Sequence, residues 1–176
     1  MPSSSPNAIA ISRYRPEDAT ACLALFEGNA DPYFAAEERA LFARFLDNPQ
    51  WTADYFVVRH EGDIVACGGW MADTDGVLEL SWGMVSRTRH GTGLGTTLLL
   101  YRLEQLAAEH AGATVRVRTS QHTAGFFARF GFRETARQTD GFGPGLDTVT
   151  LVRRVGGSLH RSGAPRRDEP RGKPAE

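Results

Sequence analysis

Lysine is almost missing from this chain. Of its 20 basic residues only Lys173 is a lysine, which reads as genome composition rather than chemistry. Cysteine is nearly as scarce. Cys22 and Cys67 have no CxxC spacing and no nearby histidine pair, so the sequence offers no zinc site and no other metal site. Two reduced thiols packed as small apolar groups fit better. No apolar run approaches the roughly 18 residues that a membrane span needs. Residues 1–6 lack the basic and apolar regions of a signal peptide, so a cytoplasmic setting is expected. An excess of one charge is missing too. The formal net charge is −1, and the chain as a whole advertises neither a nucleic-acid nor a membrane partner.

What is present suits one folded domain of ordinary size. The 176 residues are 41% hydrophobic and 23% charged, within the range of soluble globular chains. The charge is unevenly spread. Residues 153–176 carry seven basic and three acidic side chains, a net +4, which leaves −5 on residues 1–152. Residues 1–7, rich in Ser and Pro, and residues 155–176, where no apolar period survives, are expected to be disordered. The folded domain is then 8–154. The basic tail could dock an acidic partner or merely solvate.

Hydrophobic spacing gives the element order. Residues 8–13 alternate as a half-buried strand does. Pro16, Glu17 and Asp18 open a helix, which Gly28–Pro32 breaks, and a second helix is expected over about 33–46. Three strands follow at 54–60, 64–71 and 77–85, separated by turn residues, as an antiparallel meander. A Gly-rich loop leads into a helix over 98–110, then a strand at 114–119, a short helix at 123–130, and a closing pair of strands at 132–139 and 146–153. A strand, a long helix and another strand form a βαβ crossover, so one parallel pair is expected inside the sheet. The fold class is therefore α/β: a mixed, mostly antiparallel central sheet with a central βαβ crossover and helices on both faces.

The chemistry centres on residues 89–96. Gly91, Gly93 and Gly95 alternate just before a helix. Glycine permits sharp turns and close ligand approach, and the unpaired N–H groups at a helix start favour a pyrophosphate. A P-loop would need lysine where Gly95-Thr96-Thr97 has none. A Rossmann fingerprint would need GxGxxG and an acid after the next strand, where Arg118-Thr119-Ser120 stands instead. A purely structural Gly-rich turn is the remaining alternative.

The run 85–99 resembles the coenzyme A loop of the GCN5-related N-acetyltransferases, whose pattern is Gln/Arg-x-x-Gly-x-Gly/Ala. The matching residues are His90, Gly91, Thr92, Gly93, Leu94 and Gly95. Histidine replaces the usual Gln or Arg, and Arg89 stands beside it as a substitute cation. Residues 124–132, ending Phe130-Gly131-Phe132, resemble a shortened form of the family segment Ala-x-x-x-Tyr-x-x-x-Gly-Phe. The resemblance covers about residues 8–153. It implies acetyl-CoA as co-substrate. Backbone groups of Met84 and Val85 would pair with the pantetheine arm. The amides of Gly91, Gly93, Gly95 and Thr96 would hold the pyrophosphate, and Gly83 would mark the bulge that opens the cleft.

A catalytic base is needed because an alkylamine is mostly ammonium at neutral pH. Glu79 resembles the glutamate that many family members place on this strand, acting directly or through water. Its alternative is an ordinary solvated strand acid. Alternation puts Leu78, Leu80 and Trp82 on one face, and Glu79 and Ser81 on the other. The family's tyrosine acid falls at Phe127, expected at the cofactor, which has no proton to give. Tyr101, Ser120, His122 or water could replace it, or thiolate departure needs no donor. Asn29, Tyr33, Phe34, Trp82 and Ser120 are candidate acceptor-site residues. Acids such as Asp31, Glu37 and Glu38 could attract a cationic amine. The expected function is direct acetyl transfer to a primary amine of a small molecule, by a monomer or a homodimer formed at an edge strand. The alternatives are acetylation of a protein N-terminus or lysine, and an acyl-CoA-binding module without turnover.

Overall fold

The computed structural model describes residues 8–156. Residues 1–7 and 157–176, where disorder is expected, lie outside the described residues. The elements run β1 (Ile9–Arg13), a 3-10 turn (Pro16–Asp18), α1 (Ala19–Tyr33), α2 (Glu38–Leu46), β2 (Tyr55–His60), β3 (Asp63–Ala72), β4 (Leu78–Val85), a second 3-10 turn (Arg87–Arg89), α3 (Leu94–Glu109), β5 (Thr114–Thr119), α4 (Ala124–Ala128), β6 (Arg133–Gly143) and β7 (Leu146–Arg154). Seven strands form one sheet in the order β1-β2-β3-β4-β5-β7-β6. Only β4 and β5 pair in parallel, and the other neighbours are antiparallel. The mixed sheet and its βαβ crossover are as the sequence implies. No helix among the described residues is long and apolar enough to cross a membrane.

Strand alternation divides the core in two. On one face Leu99, Leu103 and Leu106 of α3 and Phe127 of α4 pack on Phe56, Trp70, Leu78, Leu80, Val115 and Val117. On the other, Cys22, Leu25 and Phe26 of α1 and Phe42 and Phe45 of α2 pack on Tyr55, Val57, Cys67 and Met84. The helices thus hold the sheet from both sides. β6 is the outer strand, and its side chains are exposed from Arg133 to Gly141. Val155 is buried, its N–H donates to the Ala113 carbonyl at 2.8 Å and its carbonyl accepts the Gly112 N–H at 3.2 Å, so the folded body includes it.

Several boundaries differ from the expected ones, each for a local reason. α3 starts four residues early, at Leu94, because Gly93 takes a left-handed φ of 87° at its N-cap and lets the helix begin at once. The break expected over Gly28–Pro32 shrinks to Asp31, whose extended ψ is what a following proline demands. α2 begins at Glu38 rather than 33, where the Glu38 carboxylate accepts the Ala35 N–H at 2.8 Å. β6 runs on to Gly143, leaving only Pro144 and Gly145 between it and β7.

Candidate active site

β4 and β5 are registered only at Leu78↔Val115 and Glu79↔Arg116. Beyond that point β4 runs six more residues and β5 three more without pairing, so the strands diverge. The cause lies in β4 and β3. The register moves from Gly69↔Ser81 to Cys67↔Met84, so Trp82 and Gly83 together oppose Gly68. This is a β-bulge, and it turns the strand away from its neighbour. Trp82 is its left-handed residue, at φ 44°. The expected bulge is therefore present, but it begins one residue before Gly83.

The bulge corrects one expectation about faces. Trp82 does not follow Leu78 and Leu80 into the α3 side. The extra residue turns it to the opposite face, where it packs on Phe26, Phe34, Phe42 and Phe45. Trp82 and Phe34 therefore form one aromatic wall with the α1/α2 core.

The bulge is held from both sides. The buried Tyr55 hydroxyl donates to the Trp82 carbonyl at 2.8 Å. Burial pushes the Tyr55 phenol well up, which keeps it a donor. On the α3 face the Arg102 guanidinium, only 3% exposed, lies against Gly68 and Gly83. A Cβ on either glycine would stand 3.0–3.1 Å from its nitrogens. Arg102 donates from Nη1 to the Gly69 carbonyl at 3.3 Å. Burial lowers its pKa to about 10, so it remains cationic at neutral pH.

At the open end of the cleft lies the Gly-rich loop. Gly91 and Gly93 have φ values of 77° and 87°. A Cβ at either would meet nothing within 4 Å, so what these glycines supply is conformation rather than room. Their N–H groups enter no backbone hydrogen bond among the described residues. The first N–H groups of α3, on Leu94, Gly95 and Thr96, are unpaired by helix geometry. These donors lie close together in the chain at the positive end of a 16-residue helix. The donor set fits a pyrophosphate and requires no side-chain cation, although Arg89 is adjacent. The Thr92 hydroxyl instead donates to the Arg89 carbonyl, at 2.5 Å, and Leu94 is buried in the core.

Met84 is buried, and the Val85 carbonyl is already occupied. It accepts from Asn29 Nδ2 at 2.9 Å and meets His90 Nε2 at 3.0 Å. Asn29 is 2% exposed and also donates to Leu25. Its side-chain nitrogen ties α1 to the end of β4. His90 folds back on its own loop. Its ring stands edge-on to Tyr33, centroids 5.5 Å apart, and Tyr33 stands edge-on to His122 at 6.1 Å. Tyr33 thus links the Gly-rich loop to the β5–α4 loop, a juxtaposition that sequence spacing gives no hint of.

Among the acid candidates, Tyr101 packs on Phe56 in the α3 core, and Ser120 is buried with its hydroxyl accepting the His122 N–H. Phe127 is 9% exposed and packs on Phe132. The ring beside the loop is Phe126, 3.6 Å from where a Gly95 Cβ would stand. Helical phase places it there, one residue from the expected position.

At the narrow end, Glu79 meets two arginines. Its Oε1 accepts from Arg118 Nε at 2.6 Å. Its Oε2 accepts from Arg116 Nε at 3.1 Å, from Arg116 Nη2, and from Arg118 Nη2 at 3.3 Å. Arg116 also reaches Asp73 at 2.9 Å. Hydrogen bonding to Glu79 raises the Arg116 pKa. Bonds to the Val77 and Asp75 N–H groups, with Arg116, lower that of Asp73. Cys22 and Cys67 are buried free thiols on the α1/α2 face. The hydrogen bond to Cys67, then burial, pushes the Cys22 thiol up, the opposite of what a nucleophile needs. A surface concavity lined by Arg44, Asp47, Asn48, Pro49 and Gln50 lies at the end of α2, and no candidate residue reaches it.

A forked parallel strand pair with an anion cradle at its mouth matches a known domain. Residues 51–134 match the family model described as an acetyltransferase (GNAT) domain. The likeness to the GNAT acetyltransferase domain is thus carried by a little under half of the chain. Solved structures agree on the fold. The GNAT-family acetyltransferase from Streptococcus pneumoniae is 16% identical at a TM-score of 0.67, covering 85% of this chain and 100% of that one. The ribosomal-protein-S18-alanine N-acetyltransferase from Escherichia coli is 17% identical at 0.68, covering 90% and 99%. N-acetylglutamate synthase from Neisseria gonorrhoeae, complexed with coenzyme A and N-acetyl-glutamate, is 18% identical at 0.65, covering 88% of this chain and 36% of that one. None of the curated proteins compared matches the sequence. Acetyl transfer from acetyl-CoA is the activity of a GNAT domain. The names of these neighbours point to different targets, a ribosomal-protein alanine in one and N-acetyl-glutamate in another.

Proposed function

We propose that the GNAT-like domain of this chain transfers acetyl to a primary amine of a small molecule by direct attack. The observation that carries this is the fork between β4 and β5, with the N–H cradle at its mouth and Glu79 at its apex. When bound, acetyl-CoA supplies an activated acetyl carbonyl. The amides of Gly91, Gly93, Gly95 and Thr96 hold its pyrophosphate, and the β4 backbone at Met84 and Val85 orients its arm once Asn29 or His90 yields the Val85 carbonyl. Glu79 takes one proton from the acceptor ammonium, through a water while the arginines stay in place. The freed nitrogen forms the new N–C bond as the C–S bond breaks. A second nitrogen proton ends on the departing sulfur, and His90, Tyr33 and His122 are titratable side chains gathered beside the Gly-rich loop. The depressed nucleophilicity of Cys22 supports direct attack over a covalent acyl-enzyme.

The test is thiol release from acetyl-CoA across polyamines, amino acids, aminoglycosides and peptides. Acceptor-dependent release with a small molecule is expected. Release with peptides alone would replace the acceptor class. Tight coenzyme A binding with no release on any acceptor would make this a binding module.

A further inference from the structure

We infer that Arg118 binds an anionic group on the acceptor, so that the acceptor is an amine with a carboxylate close to its nucleophilic nitrogen, as in a free α-amino acid. This rests on the acetyl-transfer reading above and deepens it. The acids at the apex of the fork do not form a free negative patch. Asp73 and Glu79 face Arg116 and Arg118, so the four charges already balance. A simple cationic amine would bring an uncompensated positive charge to a partly buried site, which is costly. A zwitterion brings none.

The two arginines are not equivalent. Arg116 is spanned between two acids, and its side chain is 25% exposed. Arg118 pairs with Glu79 alone among the acids of the described residues and is 55% exposed. Its Nη1 takes no part in either bond to that carboxylate. The Nη1 edge of the guanidinium is therefore available to a second carboxylate, while the Nε and Nη2 edge holds Glu79. Alternation keeps Arg116 and Arg118 on one face of β5, with Val115 and Val117 turned into the core. Ser81 shares the Glu79 face of β4, and its buried Oγ has no hydrogen-bond partner among the described residues.

The arrangement also couples binding to chemistry. Among the described residues Arg118 is the only side chain bonded to Glu79 Oε1, whereas Oε2 keeps Arg116. An acceptor carboxylate that draws Arg118 away leaves Oε1 open to the acceptor's own ammonium. The proton then passes from that ammonium to Glu79 Oε1, and the nitrogen lone pair is released for attack on the thioester carbon.

The experiment compares three acceptors at saturating acetyl-CoA: a free α-amino acid, its carboxamide, and the amine lacking the carboxyl group, repeated over several side chains. Wild-type enzyme is expected to favour the acid in kcat/KM by at least about tenfold, chiefly through KM. Arg118→Gln should collapse that ratio toward one, and Arg118→Lys should retain part of it. Amide or amine used as well as the acid by wild type, or an acid-to-amine ratio unchanged in Arg118→Gln, would overturn the inference while leaving acetyl transfer standing. No thiol release with any acceptor, with coenzyme A still bound, would overturn both.

Discussion

β4 serves two ends of one cleft by different means. At its C-terminal end the groups offered to a ligand are backbone N–H donors, set by the conformations of Gly91 and Gly93. At its N-terminal end they are side chains, a carboxylate and two guanidinia brought together across the parallel register. Between them sits the bulge that makes both possible. Backbone donors tolerate little variation in the anion they fit. Side chains on a fixed frame can be exchanged without disturbing the sheet. The difference teaches why one end suits a constant co-substrate and the other a variable acceptor.

The largest effect should come from breaking the frame itself. Arg102→Ala removes a buried side chain from between Gly68 and Gly83 and empties its space. A loss of about 2–4 kcal/mol in unfolding free energy is expected, read from the denaturant midpoint. An unchanged midpoint would mean that Tyr55 alone holds the bulge. Next comes Glu79→Gln, which keeps shape but removes the proton acceptor. It should lower kcat/KM by about 10²-fold, worth about 2.7 kcal/mol, with coenzyme A affinity unaltered. Full activity at every pH would remove Glu79 from the mechanism. If coenzyme A affinity fell equally, the two ends would not be separable.

The same contrast explains what could be seen in the sequence. The loop was legible because a left-handed backbone leaves its mark as glycine, at Gly91 and Gly93. The α3 helix and the strand meander were legible from spacing, since Leu99, Leu103 and Leu106 repeat on one face. Trp82 was placed on the wrong face because alternation counts residues and a bulge adds one. The partners of Glu79 lie 37 and 39 residues along the chain. Only the alternating Val115-Arg116-Val117-Arg118 beside an expected parallel strand pointed to them. Asn29 looked like a polar residue in a junction, yet it closes the seam between α1 and β4 through a carbonyl 56 residues away. Contacts of that range are set by tertiary packing and leave no local pattern.

At the backbone end, Gly93→Val should raise the coenzyme A dissociation constant about tenfold, or about 1.4 kcal/mol. A Cβ there meets nothing within 4 Å, so the cost is conformational: a β-branched residue resists φ 87°. KM ratios among acceptors should not move, which distinguishes this variant from Arg118→Gln.

The smallest effect should separate two neighbouring rings. Phe127→Tyr would restore the hydroxyl that similar segments carry, but Phe127 points into the cluster with Phe132, and a hydroxyl there has no described partner. A rate within about twofold of wild type and a stability loss of about 1 kcal/mol are expected. Phe126→Tyr puts the same hydroxyl on the ring that borders Gly95 and Val85, at the cleft. A faster rate at Phe126 and none at Phe127 would locate the proton-donor position by helical phase. The reverse result would mean that α4 rotates when the cofactor arrives, and that the two ends of the cleft are coupled through it.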